Sequence, residues 1–231
     1  MRRPEAVLFD LDGTLYDERR LRRTMVPRLV LGALLGGGGA RTLRVVQAYR
    51  RTREGLRGES FPDGPALEAE HLVRAAALAG STSTEVQSCV REWLERRPLR
   101  HLRRVARERL TETLHGLRAR GLRVGVFSDH PTEAKLEALG ITALVDAQCS
   151  AGSPEVGALK PDPAGFLLLA RELDVEPAAC LVVGDRDDCD GEGARRAGMA
   201  FRMVGERPAG DSVVRLSSLW ELVAQIDAAG G

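Results

Sequence analysis

Lysine is nearly absent from this chain: of 34 basic residues, only Lys135 and Lys160 are not arginine. Where arginine is the default cation, a lysine marks a place for a compact charge on a flexible stem. Cysteine is also scarce. Cys89, Cys149, Cys180 and Cys189 form no CxxC pair and lie far apart, which argues against zinc and a disulfide framework and for buried reduced thiols. Long apolar runs are missing too. The longest, Leu29 to Leu35, is about a third of a membrane span. The N-terminal segment places only Ala6 to Phe9 ahead of an acid, too short for a signal-peptide core. The expected compartment is the cytoplasm, with no membrane partner.

Neither sign of charge is in excess, with 34 basic against 33 acidic residues and a net charge of +1. An even spread would exclude a dedicated nucleic-acid binder, but the spread is uneven. Residues 15–109 hold 20 Arg and 11 acids, a local +9, and the remainder carries −8. A positive segment beside an acidic one suits a small anionic ligand through electrostatic focusing, and leaves nucleic acid excluded. Most arginines in stretches such as Arg19 to Arg23 and Arg50 to Arg53 read as solvated helix faces. Hydrophobic residues at 43% and charged residues at 29% of 231 positions describe an ordinary globular chain, either one large domain or one carrying an insertion.

Short apolar runs of strand length recur at Ala6–Phe9, Leu122–Phe127, Ala143–Val145, Cys180–Val183 and Ala200–Val204. After the first, they alternate with helical periods at Thr132–Leu139, Pro163–Leu173, Glu192–Ala197 and Ser218–Ala228. Runs apolar on both faces and separated by helices predict a Rossmann-like parallel sheet with helices on both sides. Asp162 before Pro163, and Ser218 with Glu221, read as helix starts; Gly121, Gly140 and Gly198 read as helix ends. Residues 16–103 break the alternation and read as four helices, at about 18–35, 41–57, 65–79 and 84–97. Thr82 with Glu85 makes a capping box there. The glycine run Gly36–Gly39 lacks the Lys-Ser/Thr of a phosphate loop and reads as a flexible connection. The organisation is therefore a core of residues 1–15 and 104–231 with an inserted all-helical cap of residues 16–103.

Four elements stand at predicted strand ends, where open α/β sheets bind ligands. Asp10 and Asp12 leave the first strand two residues apart, so one can act as nucleophile or metal ligand while the other handles protons. Gly13 permits the turn after them. Ser128 closes the second run, where a hydroxyl can donate to a phosphoryl oxygen; Asp129, His130 and Pro131 follow as turn sequence, and His130 reads as a loop residue. Lys160 precedes Pro161 and suits anion neutralisation, whereas Lys135 reads as solvated helix surface. Asp185, Asp187, Asp188 and Asp190 crowd one loop after the most apolar run. Oxygen donors at that density select a hard cation such as magnesium. No GxxxxGK[ST], GxGxxG, HExxH or GxSxG motif occurs in a suitable context.

In this order and spacing, DLDGT at 10–14, Ser128, Lys160 and the Asp185/Asp190 pair make the chain resemble the haloacid dehalogenase superfamily. The resemblance is to its phosphatases with a helical cap after the first strand. It implies a magnesium-dependent aspartyl-phosphate mechanism on a small phosphorylated metabolite such as a sugar phosphate, phosphoglycolate or nucleotide. Asp10 would be the nucleophile, and Asp12 the acid and then the base. Ser128, Asp129 and Lys160 would form the phosphate site. The metal would be held by Asp10, Asp185 and the Asp12 carbonyl, with Asp190 directly or through water. Dehalogenases proper lack the second aspartate, and phosphonate-cleaving members need a cap lysine that is missing here. A phosphomutase of the same fold, and a non-catalytic phosphate-ligand or partner-binding module, stay open as alternatives, as do the roles of Asp187 and Asp188 and the oligomeric state. Tyr16, Arg19, Arg20 and Arg23 follow the catalytic loop and are the expected substrate neighbours.

Overall fold

A computed structural model of the chain describes residues 3–35 and 39–230. Strand β1 (Ala6–Phe9) is fully buried, and the packing shows why no polar residue interrupts it. Val7 and Phe9 face one hydrophobic cluster with Leu114, Leu136 and Leu222. Ala6 and Leu8 face another with Phe166, Leu169 and Ala194. With a helical layer on each face, a strand has no solvated side on which to place a charge.

The sheet has six parallel strands in the order β3-β2-β1-β4-β5-β6, where β2 is Arg123–Ser128, β3 Ala147–Ser150, β4 Cys180–Gly184, β5 Ala200–Val204 and β6 Arg215–Leu216. After β3 the chain returns to the far side of β1 to build β4, so the order switches direction beside β1. The carboxyl ends of β1 and β4 therefore splay their following loops apart and leave a crevice. Phe9 pairs with Val126 on one side and Val183 on the other, which sets Asp10 level with the start of both neighbouring loops.

Between β1 and β2 lie α1 (Glu18–Leu35), α2 (Gly39–Gly55), α3 (Gly64–Ala79), α4 (Ser83–Val90), α5 (Arg97–Val105) and α6 (Leu110–Ala119). The rest are α7 (Glu133–Leu139), α8 (Ala164–Glu172), α9 (Glu192–Arg196) and α10 (Glu221–Gly230). Helices α2 to α4 share a core of their own, in which Val45, Ala48 and Tyr49 meet Ala75, Ala76, Ala79 and Val86. The alanines of α3 let the backbones approach closely. The Thr82–Glu85 box forms as expected, with the Glu85 amide donating to Thr82 Oγ1 at 3.2 Å and the Thr82 amide donating to Glu85 at 3.4 Å. Gly121, Gly140 and Gly198 all take the left-handed conformation of helix ends, at φ 78°, 77° and 73°.

Several expectations are corrected. Ala143–Val145 is not a strand: Thr142–Leu144 is a 3-10 turn, and the strand begins at Ala147. Because β3 is an edge strand and only Cys149 in it is fully buried, its sequence AQCS carries no apolar run for periodicity to detect. Of α6 only the end at Gly121 was anticipated, and the two-residue β6 was not. The expected fourth helix, 84–97, continues instead through a π-helical turn at Arg91–Arg96 into α5, so it runs past Arg103 to Val105. The start of α10 is braced one residue earlier than expected, by the Ser217 amide and hydroxyl donating to Glu221 at 2.7 and 2.6 Å. Of the glycine run, Gly36 to Gly38 lie outside the described residues. A short antiparallel ladder brackets the helices: the Asp17 amide donates to Val105 O at 2.8 Å and the Arg107 amide to Leu15 O at 3.0 Å. Among the described residues no helix is long and apolar enough to cross a membrane.

Candidate active site

Asp10 follows β1 directly and its amide still donates to Val183 O at 2.9 Å, so the sheet fixes its backbone. Its carboxylate is also fixed. Oδ2 accepts from Thr14 Oγ1 at 2.7 Å and Oδ1 from Lys160 Nζ at 2.5 Å. Lys160, from the loop after β3, reaches Asp190 Oδ1 as well, at 2.7 Å, and is 2% exposed. Burial alone would strip this ammonium of its proton, but Asp10, Asp190 and Asp129 outweigh it and push its pKa above the usual lysine range.

The loop after β4 supplies Asp185 and Asp190. Carboxylate oxygens of Asp10, Asp185 and Asp190 all lie within 4.8 Å of one another. Two glycines make that gathering possible. A Cβ on Gly13, whose φ is +99°, would collide with the Asp185 carboxylate, and one on Gly184 would collide with Asp190. Burial pushes Asp10 well above the usual carboxylate range, and Asp190 and Asp185 add to the rise against the opposing Lys160. Burial and Asp190 likewise lift Asp185 to about 6, although Arg207 Nε sits 2.9 Å from it. Three buried carboxylates at this separation, with oxygen as the only donor, fit a hard divalent cation.

Asp12 stands apart from this trio. Its two oxygens lie 2.6 and 2.7 Å from Lys135 Nζ, Ser128 Oγ donates to it at 3.0 Å, and the Tyr16 hydroxyl donates to it too. Burial would raise its pKa, but Lys135 and, more weakly, His130 and Tyr16 hold the carboxyl below the ordinary range. Lys135 is therefore not solvated surface. Its side chain is 13% exposed, because α7 starts just after the loop that follows Ser128 and its first turn projects back over the strand ends. The rarity that singles out Lys160 applied equally to Lys135.

Ser128 is fully buried and its Oγ accepts from the His130 amide at 3.0 Å. Asp129 points the other way. It accepts from the Lys160 amide at 3.0 Å and from Arg57 Nη1 at 2.8 Å, while Arg53 donates to its carbonyl. Arg57 and Arg53 come from the end of α2 and just beyond it, so they tie the inserted helices to the loops that carry the acids. Neither was foreseen, since both sit in a segment whose arginines read as solvated.

All six strand-end residues, Asp10, Asp12, Ser128, Lys160, Asp185 and Asp190, line one cavity of about 490 Å³ together with Asp129, His130, Lys135, Arg57 and Arg207. Tyr16 lines it as well. Arg19, Arg20 and Arg23 do not: Arg19 pairs with Glu206, Arg20 with Asp17, and all three are exposed. The arginines of the inserted helices that do reach the cavity are Arg22, Arg50, Arg53 and Arg57. Helical phase explains the difference, since α1 presents Leu21, Arg22, Met25 and Leu29 to the cavity and turns its neighbours to solvent. Asp187 and Asp188 are engaged elsewhere, by Arg195 and Arg186 respectively.

The chain resembles known proteins over most of its length. The chain is 30% identical over 207 residues to glyceraldehyde 3-phosphate phosphatase of Methanopyrus kandleri, across 84% of this chain and 81% of that protein. It is 29% identical over 203 residues to fructose-1-phosphate phosphatase YqaB of Escherichia coli, across 84% and 92%. A solved 2-haloacid dehalogenase from Pseudomonas syringae superimposes with a TM-score of 0.66 at 25% identity, across 99% of this chain and 100% of the other. The model of the haloacid dehalogenase-like hydrolase family matches residues 4–198, which takes in every strand-end acid and both lysines. With a match of that extent, on a parallel sheet that has helices inserted between β1 and β2, the chain belongs to the haloacid dehalogenase-like hydrolases.

Proposed function

We propose that the chain is a magnesium-dependent phosphatase that hydrolyses a small phosphorylated metabolite of the cytoplasm through an aspartyl-phosphate on Asp10. One observation carries the reading: two carboxylates leave β1 into the same cavity, and they are held by different partners for different work. Asp10 lies in the acid trio, against Lys160. Asp12 lies among Lys135, Ser128 and Tyr16. The names of the relatives above support the same reaction class.

Asp10, Asp185 and Asp190 would hold the magnesium ion, with the Asp12 carbonyl as a further oxygen donor. Bound there, the ion would supply positive charge beside Asp10 and the transferring phosphoryl group. Thr14 and Lys160 restrict Asp10 to one rotamer, so its oxygen is oriented for in-line attack on phosphorus. The P–O bond to the alcohol breaks, and the alcohol leaves with a proton from Asp12. Asp12 then takes a proton from the water that attacks the aspartyl-phosphate, releasing inorganic phosphate and Asp10. The low proton affinity that Lys135 imposes suits the resting carboxylate. Donation requires Lys135 to be drawn toward incoming phosphoryl oxygens, which relaxes its hold on Asp12 and lets that carboxylate take up a proton from solvent before the alcohol leaves. Ser128, Asp129 and Lys160 form the phosphate site, Lys160 as a fixed buried charge that needs no reorganisation during transfer.

The catalytic residues belong to a core of residues 1–15 and 104–231 and the lid to residues 16–103. The paired backbone at Asp17 and Val105 supports a division near those points. Phosphate release from a panel of phosphomonoesters, with magnesium and with EDTA, tests the function. Turnover should require the metal. Asp10→Asn should retain the fold and lower kcat by about a thousandfold or more. A folded wild-type protein that releases phosphate from no ester would sink the reading.

A further inference from the structure

The inserted helices bring both charged and apolar side chains to the cavity. Met25 and Leu29 of α1, Trp93 and Leu94 of the turn after α4, and Leu99 of α5 line the same cavity as the acids. Each of the five is only half-buried. Met25 and Leu99 pack in part on the main core and Leu94 on the core of the inserted helices, and each keeps apolar surface that packing does not cover. At about 490 Å³ the space far exceeds a phosphate group and falls in the range of organic-ligand sites.

The charged groups on this wall are mostly committed to one another. Arg22 is held by Glu18 at 2.6 Å, Arg53 by Glu68 at 2.7 Å and by His71, and Arg57 by Glu54 at 2.7 Å and by Asp129. That leaves Arg50 and Glu95, which line the cavity and make no hydrogen bond or ion pair among the described residues. A sugar phosphate carries a hydroxyl on nearly every carbon, and each needs a partner once it leaves water. Two uncommitted charged side chains on this wall offer a hexose few partners, whereas five half-covered apolar side chains suit a hydrocarbon group.

We propose that the preferred substrates are phosphomonoesters of predominantly apolar alcohols, alkyl or aryl, with the organic group against the wall of α1, α4 and α5 and the phosphate at the strand ends. The inference rests on the phosphatase reading above. Its reaction is the same hydrolysis: the alcohol leaves protonated by Asp12, and water supplies the hydroxyl of the released phosphate.

The test measures phosphate release by the full chain with magnesium from n-hexyl phosphate, glycerol 3-phosphate and glucose 6-phosphate. All three have primary alkyl leaving groups, so intrinsic reactivity is comparable. kcat/KM for hexyl phosphate should exceed that for glucose 6-phosphate by at least about tenfold, chiefly through KM. Met25→Gln and Leu99→Gln should each shrink that preference. A second measurement needs no turnover: calorimetry with magnesium should show n-hexylphosphonate binding about tenfold more tightly than methylphosphonate. Hydrolysis in which glucose 6-phosphate equals or surpasses hexyl phosphate overturns the inference and leaves the phosphatase reading intact. Release from none of the esters overturns the phosphatase reading. In that event, equal binding of the two phosphonates overturns the apolar site as well, and tighter hexylphosphonate binding retains it.

Discussion

Lys135 Nζ straddles both oxygens of Asp12, at 2.6 and 2.7 Å, from the first turn of α7. One of the chain's two lysines thus holds Asp12 while the other, Lys160, holds Asp10. Both are compact ammonium groups on flexible stems, in a chain that otherwise uses arginine.

Removing that charge should change proton handling more than binding. Lys135→Met is expected to lower kcat about a hundredfold with a KM change of only a few-fold. Because Lys135 holds the Asp12 carboxyl down, its loss raises that pKa, and the acidic limb of the kcat–pH profile should move to higher pH. Lys135→Arg should restore the limb in part. An unmoved limb in Lys135→Met would show that Asp12 is tuned by other groups.

Lys160 is expected to matter for folding as well as for chemistry. It is the buried cation between Asp10 and Asp190, so Lys160→Met leaves two carboxylates facing each other without compensation. The cost should be about 3 kcal/mol in metal-free urea unfolding. Adding magnesium should recover part of it, since the ion neutralises the same acids. Equal stability of variant and wild type in EDTA would contradict this account.

Metal occupancy should be visible without substrate. Saturating magnesium is expected to raise the wild-type Tm by about 5 °C, and EDTA to reverse the change. Asp185→Asn and Asp190→Asn should each lose most of the shift, because each removes one of the three converging carboxylates. A full shift in either variant would place the ion elsewhere.

His71 sets a pH dependence distant from the acids. It is fully buried, with Nδ1 3.1 Å from Arg53 Nη1 and Nε2 2.8 Å from Tyr49 O. Arg53 donates to Nδ1, so the ring is neutral with its proton on Nε2. Burial, reinforced by Arg53 and opposed weakly by the Tyr49 carbonyl, lowers its pKa to about 4. Between that value and the ordinary 6.5 the unfolded chain binds the proton and the folded one does not, so stability falls as pH drops through this window. From pH 6.5 to 5 the loss attributable to His71 should be about 2 kcal/mol. Urea titrations of wild type and His71→Asn at those two pH values measure it, and equal losses in both would exclude His71 as the cause.

The doubly covered strands were legible because β1 and β4 leave no face for polar residues, and their runs are unbroken. β3 was not legible, since an edge strand half in solvent carries no such signature. Asp10, Asp12, Ser128 and Asp185 were legible because each comes within three residues of the end of an apolar run, whereas Lys160 was picked out by the rarity of lysine and Asp190 by the density of acids in its loop. Lys135, Arg57 and Arg207 reach the cavity from a helix turn or a distant loop. Nothing in the local sequence separates Arg57 and Arg207 from solvated neighbours, and Lys135 is set apart only by the rarity of lysine. The misplacement of Arg20 and Arg23, beside the correctly oriented Arg22, has a single source. Adjacency in sequence was used on a helix, where neighbouring residues diverge by about 100°.

The hydrogen bond from the Asp17 amide to Val105 O has an evolutionary consequence. The insertion begins and ends at one point on the core, so replacing it places no strain on β1 or β2. Such a fold can exchange its specificity-bearing helices as a cassette while Asp10, Asp12 and their lysines stay where the sheet puts them. Diversification of substrate and retention of chemistry then proceed on separate stretches of one gene.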